Sequence, residues 1–481
     1  MPKAPPTAFV IFGITGDLAA RKLMPALFQL HRQGALDEGT ILVGYGRSPL
    51  SDEALRARLR ESLARHVQWH DDGAWEALEE RIHYVQGGYD EPEGFQRLAA
   101  RLEDWGLDNR VFYTATPPQT YEPIVRNLAG AGLHRGNNGW SRLVIEKPFG
   151  DDLATAQELN RHVLERFREE QVYRIDHYLA KETAQNLAVL RFANSIFEPV
   201  WSNRYVDHVQ ITMVEPMGVE GRGSFYESAG VLRDVFQNHL LQLVALVAME
   251  PPARYDAHSV RDEKVKVFDA LRCVRPENAV LGQYVSGNGM PGYREEDGVD
   301  PRSRQATFAA VELELRNWRW SGVPFYIRSG KRLEMKATEI VLQFKTPPHV
   351  PFDLPSHLKA DRLVLRLVPD EGIVLRFNGK RPGQGIEMER ISLDFLYGRS
   401  FDRPNPDAYE TLLLDVMLGD ATLFMRADEV EAQWRVITPL LERIREARPT
   451  PMFYEAGSMG PDAAYTLLDR EGRYWHRPAQ D

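Results

Sequence analysis

The chain has 481 residues, 43% hydrophobic and 27% charged, a balance that excludes intrinsic disorder and provides for two or three domains with sizeable cores. Its formal net charge of −10 argues against a nucleic-acid partner, so any anionic ligand must be met by a local cluster of basic side chains. No apolar run reaches about 18 residues, which argues against a membrane span, and the single cysteine, Cys273, excludes an intrachain disulfide framework and suits a reducing cytoplasm.

The first 180 residues alternate short apolar runs with helical patterns. AFVIF (8–12), TILVGY (40–45), RIHYVQ (81–86), RVFYTA (110–115), RLVIEK (142–147) and VYRI (172–175) read as strands. Between them lie helical stretches such as LFQLHRQ, SDEALRARLRESLARHV, GFQRLAARLEDW, TYEPIVRNLAG and DLATAQELNRHVLERF. Ser51 is placed to cap the second of these, with Asp52 and Glu53 in its first turn. Continuous apolar strands separated by helices predict a parallel, doubly wound α/β sheet.

After residue 200 the rhythm changes. YVDHVQITMVE (205–215) alternates as a strand, and 226–250 reads as one long helix stopped by Pro251 and Pro252. ATFAAVELELRNW, GVPFYIRS, TEIVLQFK, DRLVLRLV and GIVLRF follow without regular helical crossovers, which predicts a mainly antiparallel sheet. Helices return at PDAYETLLLDVMLG and RADEVEAQWRVITPLLERI. The division is expected near 175–200 and is set at 1–178 and 179–481.

Four places carry candidate chemistry. GITGDLAARKL (13–23) directly follows the first strand, and Gly13 and Gly16 permit a tight turn and close approach of a ligand to backbone amides. GxxG alone is weak, and an ordinary strand-to-helix turn explains it too. Position strengthens it, because the second strand ends in GYGRS, where Arg47 suits a ribose 2′-phosphate better than the acid of an NAD site. YRIDHYLAKE (173–182) gathers Arg174, Asp176, His177, Lys181 and Glu182. A helix starting near Asp176 would put His177 and Lys181 on one face beside free amides, with the Tyr178 hydroxyl, as a phosphate seat. A capped, solvated turn is the alternative.

In RDVFQNH (233–239), Asp234 and Asn238 are four apart on an otherwise apolar helix, followed by His239; such a stripe needs partners, whether structural or a ligand. Glu215 ends the preceding strand, and Lys331 and Lys336 follow another strand in PFYIRSGKRLEMK. The histidines show no metal-ligand spacing, and no metal is expected.

Taken together, GITGDLAARKLMPAL, GYGRS, ATPPQTYEPI, IEKPFG, YRIDHYLAKE, RDVFQNHLLQ, GVPFYIRSGKRLEMK, LFMRADEVEAQW and YEAGSMGP resemble the glucose-6-phosphate dehydrogenase family. They occur in the family's order over nearly the whole chain, and RIDHYLxKE is far more specific than a Rossmann glycine pattern. The resemblance implies a Rossmann domain followed by a larger α+β domain, assembled into homodimers or homotetramers, and oxidation of D-glucose 6-phosphate by NADP⁺ to 6-phospho-D-glucono-1,5-lactone, the first oxidative step of the pentose phosphate pathway. It also implies coenzyme contacts from Gly13, Thr15, Gly16, Asp17, Leu18, Lys22, Arg47, Tyr121 and Lys147. His177, Tyr178, Lys181 and Lys336 would hold the sugar phosphate, and Glu215, Asp234, Lys331 and Lys147 the sugar. His239 would be the catalytic base and Asp176 its partner, with Pro148 a hinge-like proline.

Two departures are Ala20, where many members have lysine, and Met459, in place of a tryptophan. Two rival readings are a wider Rossmann-type sugar oxidoreductase using Lys147 as its catalytic residue, and a non-catalytic NADP-binding regulator.

Overall fold

The computed structural model describes residues 2–66, 72–136, 138–351, 358–401 and 406–478. The chain divides into two compact units. The first comprises Met1–Ala180, Arg254–Arg261 and Pro406–Glu431; the second comprises Lys181–Ala253, Asp262–Asn405 and Ala432–Asp481.

In the first unit six strands run parallel: β1 (Ala8–Phe12), β2 (Ile41–Gly46), β3 (Ile82–Gln86), β4 (Arg110–Thr114), β5 (Ser141–Ile145) and β6 (Val172–Ile175). The sheet order is β3-β2-β1-β4-β5-β6, with the two-residue strand Phe424–Met425 antiparallel beside β6. β1 and β4 are fully buried along their length because helices cover both faces, which is why they read as unbroken apolar runs. Order reverses between β1 and β4, the switch point outside whose strand ends such folds bind ligands. Ser51 Oγ accepts the Ala54 N–H at 3.2 Å and caps the helix Asp52–His66 as expected. Val67, the last residue of that expected helix, lies outside the described residues.

The sequence division at 178/179 places 254–261 and 406–431 in the second domain, whereas the fold assigns both to the first unit. Leu412, Leu413, Val416, Met417 and Phe424 join the core of Phe9, Ile11, Leu27, Val111 and Tyr113. Each such side chain contributes about 1.5–3 kcal/mol on burial. The helix Ala408–Leu418 starts at a capping box of Asp407 and Glu410 and ends at Gly419, with φ 89°. Arg142 donates to the carbonyls of Val416 and Met417 at 2.6 and 2.8 Å, satisfying groups that a helix end leaves unpaired.

The second unit is built on a nine-stranded sheet. Its strands are β7 (Val206–Val214), β8 (Ala279–Val285), β9 (Phe308–Glu314), β10 (Pro324–Gly330), β11 (Ala337–Phe344), β12 (Arg362–Val368), β13 (Gly372–Lys380), β14 (Met388–Leu396) and an edge strand Met452–Glu455. The order is β14-β13-β12-β11-β7-β10-β9-β8 and then the edge strand. Pairing is antiparallel as expected, except between β7 and β10 and between β8 and the edge strand. β7 and β10 can run parallel because a long crossover of helices and strands separates them.

The expected helix over 226–250 is interrupted. Gly230 has φ 58° and ψ 176°, outside helical space, and Leu232–Leu240 is wound as a π-helix before Leu241–Ala248 resumes α geometry. A Cβ at Gly230 would lie 2.5 Å from Gln305 Oε1, so that turn needs glycine.

One half-buried acid in the first unit sets a pH dependence. Asp415 is pushed up to about 7, first by burial and then by the neighbouring Asp420. An unfolded aspartate titrates near pH ~4, so the folded state binds the extra proton and loses stability as pH rises from about 4 to about 7. Asp415→Asn should therefore raise Tm at about pH 8, with the gain vanishing towards about pH 4; a pH-independent difference in thermal melts would contradict this.

Candidate functional site

The first unit's candidate residues all follow strands at one edge of its sheet. Gly13 follows β1, Arg47 follows β2, Lys147 follows β5 after Glu146, and Asp176, His177 and Tyr178 follow β6. Tyr121 opens the helix Tyr121–Gly130 after β4. Parallel strands put all their C-terminal ends on this edge.

At Gly13, φ is 82° and a Cβ would stand 2.5 Å from the Ala115 carbonyl oxygen, which comes from the end of β4. No other residue fits, and the loop is thereby pulled tight across the switch point. Gly16 N–H donates to Gly13 O at 2.9 Å and closes the turn. Arg58 donates to the Thr15 carbonyl at 2.9 Å, while the exposed Asp17 pairs with Arg21 at 2.6 Å and Leu18 packs against the core. Lys22 pairs with Asp407 at 2.9 Å, a partner from the 406–431 segment that no local pattern reveals. Arg47 is exposed and its guanidinium lies 6.0 Å from the Tyr89 ring, within cation–π range.

Tyr121 is buried and its hydroxyl donates to the Glu146 carbonyl at 2.9 Å. The Glu146 carboxyl is itself buried: Oε1 accepts the Tyr113 hydroxyl at 2.5 Å and the Tyr409 hydroxyl at 3.1 Å. Burial raises its pKa, opposed by the two tyrosines and by the charge and backbone N–H of Lys147. Tyr409 also stacks against His177, with centroids 6.4 Å apart and planes 16° from parallel. Sequence reasoning passed over Glu146 and Tyr409. The adjacency of Glu146 to Lys147 was a signal for the first, and nothing local points to the second.

The expected helix start at Asp176 is corrected. Residues 177–180 form a turn and the helix begins at Glu182, with Lys181 at its N-cap position. Asp176 accepts the Tyr178 N–H at 3.0 Å through its side chain and the Leu179 N–H at 3.1 Å through its carbonyl, an Asx-type turn that competes with helix. His177 and Lys181 therefore do not share a helix face. Lys181 belongs to the second unit and the three residues before the turn's end to the first.

In the second unit, strand register gathers Glu215, Lys331 and Lys336. Val214 of β7 pairs with Gly330 of β10 in parallel and with Ala337 of β11 in antiparallel, so the residue after each of the first two and before the third share one sheet end. Lys331, buried, forms an ion pair with Glu215, whereas Lys336 is exposed. Tyr226 stands beside them: the Lys331 ammonium is 5.9 Å from its ring, and burial together with the charges of Asp234 and Glu215 drives its hydroxyl pKa up. The π-helical segment packs against β10 and carries Asp234 half-buried and His239 buried. Asn238 is satisfied locally, donating to Arg233 O at 3.1 Å and accepting the His239 N–H at 2.7 Å. The stripe of Asp234 and Asn238 thus divides, one toward Tyr226 and one into the backbone.

Models of two protein-family domains match the chain. "Glucose-6-phosphate dehydrogenase, NAD binding domain" covers residues 10–186, and "Glucose-6-phosphate dehydrogenase, C-terminal domain" covers 188–476. The chain is 44% identical to glucose-6-phosphate 1-dehydrogenase of Chlamydia muridarum, over 99% of this chain and 97% of that protein. It is 45% identical to the Mycolicibacterium smegmatis protein of the same description, over 98% of this chain and 97% of that one. Among solved structures, a glucose-6-phosphate dehydrogenase in complex with its substrate glucose-6-phosphate superposes with a TM-score of 0.92 at 36% identity, covering 99% of this chain and 100% of that one. Glucose-6-phosphate 1-dehydrogenase from Mycobacterium avium superposes with a TM-score of 0.86 at 35% identity, covering 98% and 99%.

The clash at Gly13 gives a direct test of the turn. Gly13→Ala should destabilise the protein by about 1–3 kcal/mol, because strain at positive φ adds to the overlap with Ala115 O. Gly130→Ala, in a helix with open space around the new methyl, should be neutral or slightly stabilising. Denaturant melts that gave the two variants equal stability would refute the account of this loop.

Proposed function

This chain belongs to the glucose-6-phosphate dehydrogenase family, and from that premise we propose how its residues divide the family's reaction. The protein oxidises D-glucose 6-phosphate to 6-phospho-D-glucono-1,5-lactone and reduces NADP⁺. The observation that carries this is a match along both domains, at 35–45% identity, rather than the likeness of a Rossmann sheet alone.

The residues present fit the coenzyme. The tight turn at Gly13 and Gly16 sets backbone amides at the sheet's switch point, and Arg47, just after β2, offers an exposed guanidinium for a 2′-phosphate. Gly13, Thr15, Gly16, Asp17, Leu18, Lys22, Arg47, Tyr121 and Lys147 are proposed to hold it. When bound, the coenzyme supplies the hydride acceptor.

His239 is proposed as the base that takes the proton of the C1 hydroxyl as hydride leaves C1, and Asp176 as the carboxylate that supports the imidazolium. His177, Tyr178, Lys181 and Lys336 are proposed to hold the phosphate, and Glu215, Asp234, Lys331 and Lys147 the sugar. The gathering of Glu215, Asp234 and Lys331 around Tyr226 supports the sugar assignment. Phosphate binding remote from C1 fixes the sugar's position, and its binding energy lowers the barrier at C1. Assembly into a homodimer or homotetramer is proposed through the second sheet, supported by Ile391 and Leu393 exposed on the outer strand β14.

His239→Asn should lower kcat by about 10²-fold or more while glucose 6-phosphate still binds; near-normal turnover would reject His239 as the base. Arg47→Ala should raise KM for NADP⁺ much more than KM for NAD⁺, and equal losses with the two coenzymes would defeat its assignment to the 2′-phosphate.

A further inference from the structure

Glu146 has no part in the assignments above, yet its carboxyl lies at a junction of the first unit. It is 9% exposed and sits one residue before Lys147, where β5 gives way to the loop. Oε1 takes two hydroxyl donors from separate elements, Tyr113 on β4 and Tyr409 on the helix Ala408–Leu418. Its carbonyl takes a third, from Tyr121 at the start of another helix. Three tyrosines thus converge on one residue from three separate elements.

Two donors on one oxygen require an acceptor there, which a carboxylate supplies and an aliphatic side chain does not. A buried acid is costly unless it is hydrogen-bonded, so this arrangement is stable only as a complete set. The Lys147 backbone N–H and ammonium both favour the charged form of the same carboxyl, so Glu146 and Lys147 are coupled through backbone and charge.

We propose that Glu146 is a positioning residue, a buried clamp tied by Tyr113 and Tyr409 that fixes where Lys147 leaves the sheet. It acts on the reaction through Lys147, and it rests on the reading that Lys147 contacts coenzyme and substrate. Among the described residues β5 pairs with β4 and β6 only as far as Ile145, so past that point the clamp replaces the sheet ladder as the loop's anchor. A displacement of about 1 Å in a group that orients reactants is enough to cost about 10²-fold in rate.

The test is a double-mutant cycle on the full-length protein, with kcat and KM measured for glucose 6-phosphate and NADP⁺. Glu146→Leu, which removes the acceptor oxygen, should lower kcat at least about tenfold with a smaller change in either KM, and Tyr113→Phe, which keeps the carboxylate and removes one donor, should give a smaller fall. In a Lys147→Gln background, Glu146→Leu should cost little more, because its effect passes through Lys147. Tyr113→Phe keeps the question open to measurement if Glu146→Leu fails to fold, since it too should be non-additive with Lys147→Gln. If Lys147→Gln alone leaves kinetics unchanged, the underlying reading of Lys147 is wrong. If Lys147→Gln impairs turnover but the clamp variants lower only Tm, or their losses multiply in full with that of Lys147→Gln, the clamp is refuted and the Lys147 reading stands.

Discussion

Everything in the first unit follows from six parallel strands whose C-terminal ends share one edge. A parallel sheet must return its chain through crossovers, so every strand ends in a loop on the same side. Order reverses between β1 and β4, the switch point beside which such sheets bind ligands. The backbone of Gly13 then meets that of Ala115, and only a residue without a side chain fits. Arg47, Lys147 and His177 reach the same edge for the same topological reason, although 130 positions of sequence separate the first from the last.

The second unit solves its gathering problem by register. A parallel pair, β7 and β10, set within an antiparallel sheet brings the ends of two strands and the start of a third to one place. Glu215 and Lys331 meet there as an ion pair with one partner buried. Such a pair contributes little to stability after its desolvation cost. The pair stands beside Tyr226, whose hydroxyl also feels the charge of Asp234. Among the described residues the buried Tyr226 hydroxyl has no hydrogen-bond partner, a further sign that this region is not optimised for stability alone.

The strand–helix alternation of the first 180 residues was legible because fully covered strands are apolar throughout and amphipathic helices are not. The change to an antiparallel sheet was legible for the same kind of reason. β8, AVLGQYV, and β14, MERISLDFL, escaped notice because glycine, glutamine or charged residues break their apolar pattern. The turn at 177–180 was misread as helix because spacing of four suits both, and only the Asp176 contacts decide it. Tyr409 and Asp407 were not legible at all: both act across more than 200 residues of chain, on Glu146 and Lys22, and no local periodicity encodes such contacts.

This chain oxidises a phosphorylated sugar with a phosphorylated coenzyme. The most direct measurement follows the absorbance of reduced coenzyme with glucose 6-phosphate or glucose, each with NADP⁺ or NAD⁺. The account predicts rapid reduction with glucose 6-phosphate and NADP⁺, and far slower reduction when either phosphate is missing. Absence of reduction with glucose 6-phosphate and either coenzyme, or equal rates with glucose and its phosphate ester, would contradict it.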